Sequence, residues 1–166
     1  MRKRSRLHPA AGGMGIFILT LIAYVPSFSN GFIWDDDDYV TDNTTLRDLH
    51  GLNRIWCERG AVPQYYPLTH TTFWIEYHLW GTSPLGYHLI NTLLHAANAV
   101  LVWILLKRLK VPGAWAAGAI FAVHPMMVES VAWITERKNV LSGLFLLLSL
   151  HFYLRYYLMR ERNHAG

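Results

Sequence analysis

The stretch "LGYHLINTLLHAANAVLVWILL", residues 85–106, decides the fold class. It carries no Asp, Glu, Lys or Arg from end to end. Crossing a bilayer takes about 20 mostly apolar residues, and this run is long enough. Working outward, three more stretches qualify: residues 10–28, 111–131 and 140–158. The expected architecture is therefore an all-α integral membrane protein with about four transmembrane helices. The third is interrupted near its end by Pro125 and Glu129.

Composition agrees. Hydrophobic residues make up 52% of the 166, and charged residues 16%, against about 25% charged in soluble domains. Seven Trp and nine Tyr suit aromatic belts at the membrane surfaces. The net charge of +4 is explained by its distribution. With the amino terminus in the cytoplasm, Arg2, Lys3, Arg4, Arg6, Lys107, Arg108, Lys110, Arg155, Arg160 and Arg162 fall inside. Arg47, Arg54, Arg59, Arg137 and Lys138 fall outside. Basic residues concentrate on the cytoplasmic side of membrane proteins, so the basic balance reports topology and not nucleic-acid binding. The first span could also be read as a signal peptide, with "MRKRSR" before a short apolar core. Three further spans favour a retained anchor. Cys57 is the single cysteine, so no internal disulfide forms.

Two extracytoplasmic loops result, residues 29–84 and 129–139. Long loops without structure are uncommon unless functional. Within the first, Pro67–Gly81 reads as a helix with Leu68, Thr72, Ile75 and Leu79 on one face, widened by Phe73, Trp74, Tyr77 and Trp80. Pro67 suits its first turn and Gly81 its end. The expectation is an amphipathic helix lying in the outer interface, not one packed on a folded core. On the second span His88, Asn91, His95 and Asn98 form one stripe. Such residues either bond to neighbouring helices or line a site.

The first loop opens with "FIWDDDDYV", residues 32–40. The run Asp35–Asp38 admits three readings: a solvated turn, a divalent-cation site, or a general base toward a hydroxyl. The calcium-loop pattern is not met, because its Gly and terminal Glu are missing. An extended chain alternates its side chains, which would set Asp35 and Asp37 against Asp36 and Asp38. Asp37 and Asp38 are expected to bond to the following turn or stay solvated. In the second loop, "HPMMVESVAWITERKNVLS", Pro125 should break the third helix just after His124. A restarted helix would put Glu129, Trp133 and Arg137 on one face. Arg137 and Lys138 run against the charge bias. They either hold lipid phosphate or pair with Glu129, Glu136 or the aspartates.

Taken together, "NGFIWDDDDYVTDN", "YYPLTHTTFWIEYHLWGTSPLGYHLINTLLHAANAVL" and "FAVHPMMVESVAWITERKNVLSGLFLLLSLHFY" resemble a known family. It is the amino-terminal membrane region of bacterial tetratricopeptide-repeat membrane proteins. These are similar to the transmembrane and tetratricopeptide-repeat O-mannosyltransferases and to the wider C-type glycosyltransferase fold. The resemblance covers Asn30 to Tyr157. It implies transfer of a sugar from a polyprenyl-phosphate-linked donor to a hydroxyl of a protein or glycan acceptor, outside the cytoplasm of a bacterial inner membrane. By that resemblance the base falls on Asp35 or Asp36. The donor phosphate falls on Arg137 and Lys138, and His124, Glu129, Trp133 and Glu136 support the site. The family often has His where Met127 stands and Asp where Asn139 stands, which weakens a divalent-cation site in this loop. The family also continues into more spans and repeats. No 34-residue repeat is visible here, so the chain is expected to be a fragment or a truncated relative. Two other functions remain in view: a non-catalytic membrane module that binds a partner, and a piece of a transporter. The lack of charge at the span centres argues against the transporter.

Overall fold

A computed structural model describes residues 9–164, with side chains for residues 10–160. Arg2, Lys3, Arg4 and Arg6, on which the charge argument partly leans, lie outside the described residues, and Arg162 lies outside the described side chains. The described chain is helical, with no strand among the described residues. Seven α-helices follow in order: α1 (Pro9–Tyr24), α2 (Gly51–Cys57), α3 (Pro67–Trp80), α4 (Pro84–Arg108), α5 (Ala114–Val123), α6 (Val128–Ala132) and α7 (Arg137–His164).

Among the described residues, three stretches are helical, long and apolar enough to cross a membrane: Ala10–Ser29, Pro84–Arg108 and Ile134–Arg160. A bent pair, Ala114–Val123 with Pro125–Ala132, supplies a fourth span if its 50° bend is counted within one crossing. The bend has the expected cause. Pro125 has no N–H to give the preceding turn. His124 turns extended, at φ −68° and ψ 130°, and its Nδ1 accepts the N–H of Met126 at 3.2 Å.

α4 is the hub, packing against α1, α5 and α7. Ile16, Ala99, Trp103, Ala114 and Ala122 form one buried cluster there. Gly118 sits where α5 meets α4; a Cβ on it would lie 2.8 Å from Cβ of Trp103, so only glycine permits that approach. The polar stripe of α4 ties the bundle together. Asn91 Nδ2 donates to the carbonyl of Trp133 at 3.0 Å. His95 Nε2 meets the carbonyl of Ala122 at 3.1 Å. Asn98 Nδ2 donates to the carbonyl of Val140 at 2.8 Å. Each of these residues satisfies a backbone group near a break or an end of a neighbouring helix.

The first loop departs from expectation. It folds into a cap with its own core: Tyr39, Val40, Leu46, Ile55, Val62 and Phe73 are buried together with Tyr87 of α4 and Ile134. α3 therefore packs on a folded core after all. Thr69, His70, Phe73 and Glu76 face inward. Leu68, Ile75 and Leu79, on the opposite face, remain exposed. Phe73 belongs to the inner face and does not widen the outer one. The physical reason is that residues 29–84 contribute enough apolar area, scattered across short turns, to bury one side of α3 against the ends of the spans. α2 starts at Gly51, where a Cβ would fall 1.7 Å from the carbonyl oxygen of Thr45.

Candidate functional site

The acidic run is a turn, not a strand. Trp34 adopts a left-handed φ of +49°, and Asp37–Thr41 form a single wide turn closed by Asp42 N–H on the carbonyl of Asp37 at 2.8 Å. The expected alternation fails for that reason. Asp36 alone points inward and is fully buried, while Asp35, Asp37 and Asp38 are exposed. Asp36 Oδ2 accepts the N–H of Ile33 at 3.0 Å. Its Oδ1 accepts the N–H of Thr135 at 2.9 Å. The second bond joins the loop of residues 29–84 to the loop of residues 129–139. Burial pushes the Asp36 carboxyl up from the usual range; the amides of Ile33 and Thr135 oppose that, and neighbouring Asp37 adds to it. Asp37 accepts the Thr41 hydroxyl at 2.9 Å, a bond within the turn that follows, and it stays exposed, as Asp38 does.

The second loop is also more broken than expected. α6 stops at Ala132, Trp133 is extended, Ile134–Glu136 make one tight turn, and α7 begins at Arg137. Glu129, Trp133 and Arg137 thus do not share a continuous helical face. Glu129 is exposed, and its carbonyl accepts the Trp133 N–H at 3.2 Å. Trp133 packs edge-on against Trp34, with ring centroids 5.0 Å apart. His124 caps the turn at Pro125 and is exposed.

Arg137 and Lys138 separate sharply. Arg137 is fully buried. Its guanidinium donates to Glu76 through both Nη atoms, the Nη2–Oε2 bond being 3.1 Å. It also donates to Asn91 Oδ1, to the Thr72 hydroxyl at 3.1 Å and to the Tyr87 carbonyl at 3.0 Å. Its Cζ lies 5.0 Å from the Phe73 ring centroid. This differs from the expected contact with a donor phosphate, since every Arg137 nitrogen is directed into the protein. It differs equally from pairing with Glu129, Glu136 or the aspartates. The partner, Glu76, escaped sequence reasoning. The available signal was that Glu76 is the sole acid in the aromatic helix "PLTHTTFWIEYHLW". Burial raises the Glu76 carboxyl, and Arg137 opposes that rise.

Lys138 faces the other way. Its Nζ meets Glu136 Oε1 at 2.8 Å and lies 5.9 Å from the Tyr66 ring centroid. Glu136 also accepts from Asn139 Nδ2, which reaches Ser130 Oγ at 3.2 Å. Lys138 lines a groove of about 610 Å³ with Tyr65, Tyr66, Pro67, Leu141 and Phe145. The lining is largely aromatic and apolar, and Lys138, Leu141 and Phe145 come from α7. Nearby, burial pushes the Tyr39 phenol up to about 12, with Tyr66, Asp35 and Glu136 adding to the rise. Of the expected site, the fold bonds Asp36 to Thr135, next in sequence to Glu136, and pairs Glu136 with Lys138, while Arg137 is turned into the protein. It does not bring His124 or Glu129 into that group. Among the described residues no three His, Cys, Asp or Glu side chains gather as a metal-binding group.

Comparison with known proteins follows the same lines. The chain is 35% identical over 162 residues to Protein O-mannosyl-transferase Tmtc1 of Drosophila melanogaster, covering 91% of this chain and 19% of that protein. It is 35% identical over 149 residues to tmtc2 of Xenopus laevis, covering 83% and 18%. It is 30% identical over 173 residues to TMTC4 of Homo sapiens, covering 89% and 23%. No protein-family profile matches the chain, and no solved structure does. The chain spans about a fifth of the length of these relatives, and over most of its own length it is similar to protein O-mannosyl-transferases.

Proposed function

We propose that this chain forms part of a membrane glycosyltransferase that moves a sugar, mannose by the relatives' names, from a polyprenyl-phosphate donor to a hydroxyl of a protein or glycan acceptor. The observation that carries this reading is the Asp36–Thr135 bond. It pins the acidic turn to the loop bearing Glu136 and Lys138, so an exposed carboxylate and a groove-edge cation belong to one rigid unit. Asp35 is the base in this reading, because Asp36 spends both oxygens on backbone amides. The acceptor oxygen attacks the anomeric carbon and its proton passes to Asp35. The bond from that carbon to the phosphate oxygen breaks, and polyprenyl phosphate leaves with the electron pair. Lys138 offsets the charge on the leaving phosphate, and the apolar groove wall along Leu141 and Phe145 accommodates the prenyl chain. The cap lies outside the cytoplasm and the amino terminus inside, in a bacterial inner membrane; the bias of basic residues supports the orientation.

The test is a set of four single Asp→Asn changes at positions 35 to 38 in the full-length protein, read by transfer from polyprenyl-phosphate mannose. Asp35→Asn is expected to cost about 10²–10⁴ in rate with normal insertion, and Asp37→Asn and Asp38→Asn to retain most activity. If all four stay active, no aspartate of the run is the base and the chain is a non-catalytic partner-binding module.

A further inference from the structure

Arg137 and Lys138 are neighbours in the first turn of α7. Successive helical residues project about 100° apart around the axis. One can therefore be fixed inside while the other faces the groove, and turning the first displaces the second. The Lys138–Glu136 pair cannot fix that rotation, because both residues ride on the same short segment and move together. Asn139 reaches Ser130, the Val140 carbonyl accepts from Asn98, and Lys138 itself lies over Tyr66, but the densest set of ties from this turn runs through Arg137: to Thr72 and Glu76 of α3, and to Tyr87 and Asn91 of α4. Of these, only Glu76 carries a charge, and it accepts with both carboxylate oxygens. It also comes from the helix whose first turn, Pro67–Thr69, lines the same groove.

We infer that Glu76 is a positioning residue: by clamping Arg137 it sets the rotation of the first turn of α7, fixes that turn against α3, and so aims the Lys138 ammonium at a phosphate in the groove. The inference rests on the reading of Lys138 as the phosphate contact and adds to it the residue that acts through Lys138. Glu76 touches no ligand itself. The arrangement predicts that the effect of Glu76 on phosphate binding passes through Lys138, whereas its effect on stability does not.

The experiment is a double-mutant cycle on the purified chain in detergent micelles, with undecaprenyl phosphate as the probe. Affinity is read by quenching of tryptophan fluorescence, and stability by thermal unfolding of the same samples. Lys138→Gln should weaken binding about tenfold, the scale of one charge-assisted contact. Glu76→Gln should weaken it severalfold, and Glu76→Asp by less, since the aspartate keeps the charge. In the Lys138→Gln background, Glu76→Gln should change affinity little, while lowering the unfolding temperature as much as it does alone. Additive losses in affinity, as expected of independent sites, would overturn the positioning role and leave the Lys138 reading standing. Failure of the unaltered chain to bind, or an unchanged affinity in Lys138→Gln, would overturn both. If Glu76→Gln does not accumulate, Thr72→Val supplies the cycle. It removes one neutral bond to Arg137 and preserves shape, and its smaller loss of affinity should likewise vanish without Lys138.

Discussion

The acidic turn Asp35–Asp38 and the turn Thr135–Lys138 meet a similar demand in opposite ways. Each drives one charged side chain fully inside and leaves its charged neighbours exposed or half-buried. Asp36 is buried against two neutral backbone amides. Arg137 is buried against a full negative charge on Glu76. The difference follows from the groups. A carboxylate accepts well from N–H donors and can take up a proton when its surroundings disfavour charge. A guanidinium keeps its proton under all ordinary conditions and so requires a carboxylate beside it. The inward acid is thus a splint between loops, and the inward base is half of a pair that must stay intact.

The comparison breaks first at Arg137. Arg137→Met should destabilise the chain by about 3–5 kcal/mol, because Glu76 is left buried and unpaired. Adding Glu76→Gln should restore part of that loss. Thermal unfolding in detergent followed by tryptophan fluorescence measures both. A double variant no better than Arg137→Met would mean that the charge on Glu76 is not what the pair holds in check.

Asp36 should matter less. Asn at this position keeps one accepting oxygen and turns an amino group toward the other amide, leaving buried donors face to face. The expected cost is about 1–3 kcal/mol. Asp35→Asn, Asp37→Asn and Asp38→Asn should each stay within about 0.5 kcal/mol, as exposed substitutions do. Equal stability across the four would show that no member of the run points inward.

His70 sharpens the contrast with a third solution, burial as a neutral ring. It is fully buried, stacked on Tyr39 at 5.0 Å between centroids, with Nε2 at 3.1 Å from the Gln64 carbonyl. That bond requires the proton on Nε2, and Nδ1 has no partner. Burial lowers its pKa to about 4, the Gln64 carbonyl opposing. The unfolded chain therefore takes up a proton near pH 6.5 that the folded chain refuses. Stability is fully present above pH 6.5 and falls as pH drops toward 4, by roughly 2 kcal/mol between pH 7 and 5. His70→Gln removes this titration. If its pH profile over that window matches the unaltered chain, His70 does not titrate as its burial requires.

How much of this was legible beforehand differs between the two halves of the molecule. The spans could be read because a bilayer demands uninterrupted apolar length, and the break at His124–Pro125 because proline lacks an N–H. The cap could not. Its core residues, such as Tyr39, Leu46 and Ile55, lie on separate short turns and share no period. Glu76 was passed over because a single acid on a helix ordinarily faces water. Asp36 could not be told from Asp35, since the left-handed Trp34 and the wide turn that follows decide which carboxylate turns in, and neither has a periodic signature.

The smallest expected effect concerns Trp34, on the outward side of the acidic turn. The residue is 75% exposed, so little apolar burial is lost on removing its ring. Its edge-on contact with Trp133 is worth about 0.5–1.5 kcal/mol. Against this stands the backbone, since a left-handed conformation costs a residue with a side chain about 1–2 kcal/mol and costs glycine almost nothing. Trp34→Ala loses the ring contact and keeps the strain, so it should destabilise by about 0.5–1.5 kcal/mol. Trp34→Gly loses the same contact but releases the strain, offset in part by the greater freedom of glycine in the unfolded chain. The two terms nearly cancel, and Trp34→Gly should be more stable than Trp34→Ala by about 0.5–1 kcal/mol. Thermal unfolding of the two variants side by side decides it. If alanine proves the more stable, position 34 is not left-handed in the folded protein, and the turn that places Asp36 inside and Asp35 outside must be built differently.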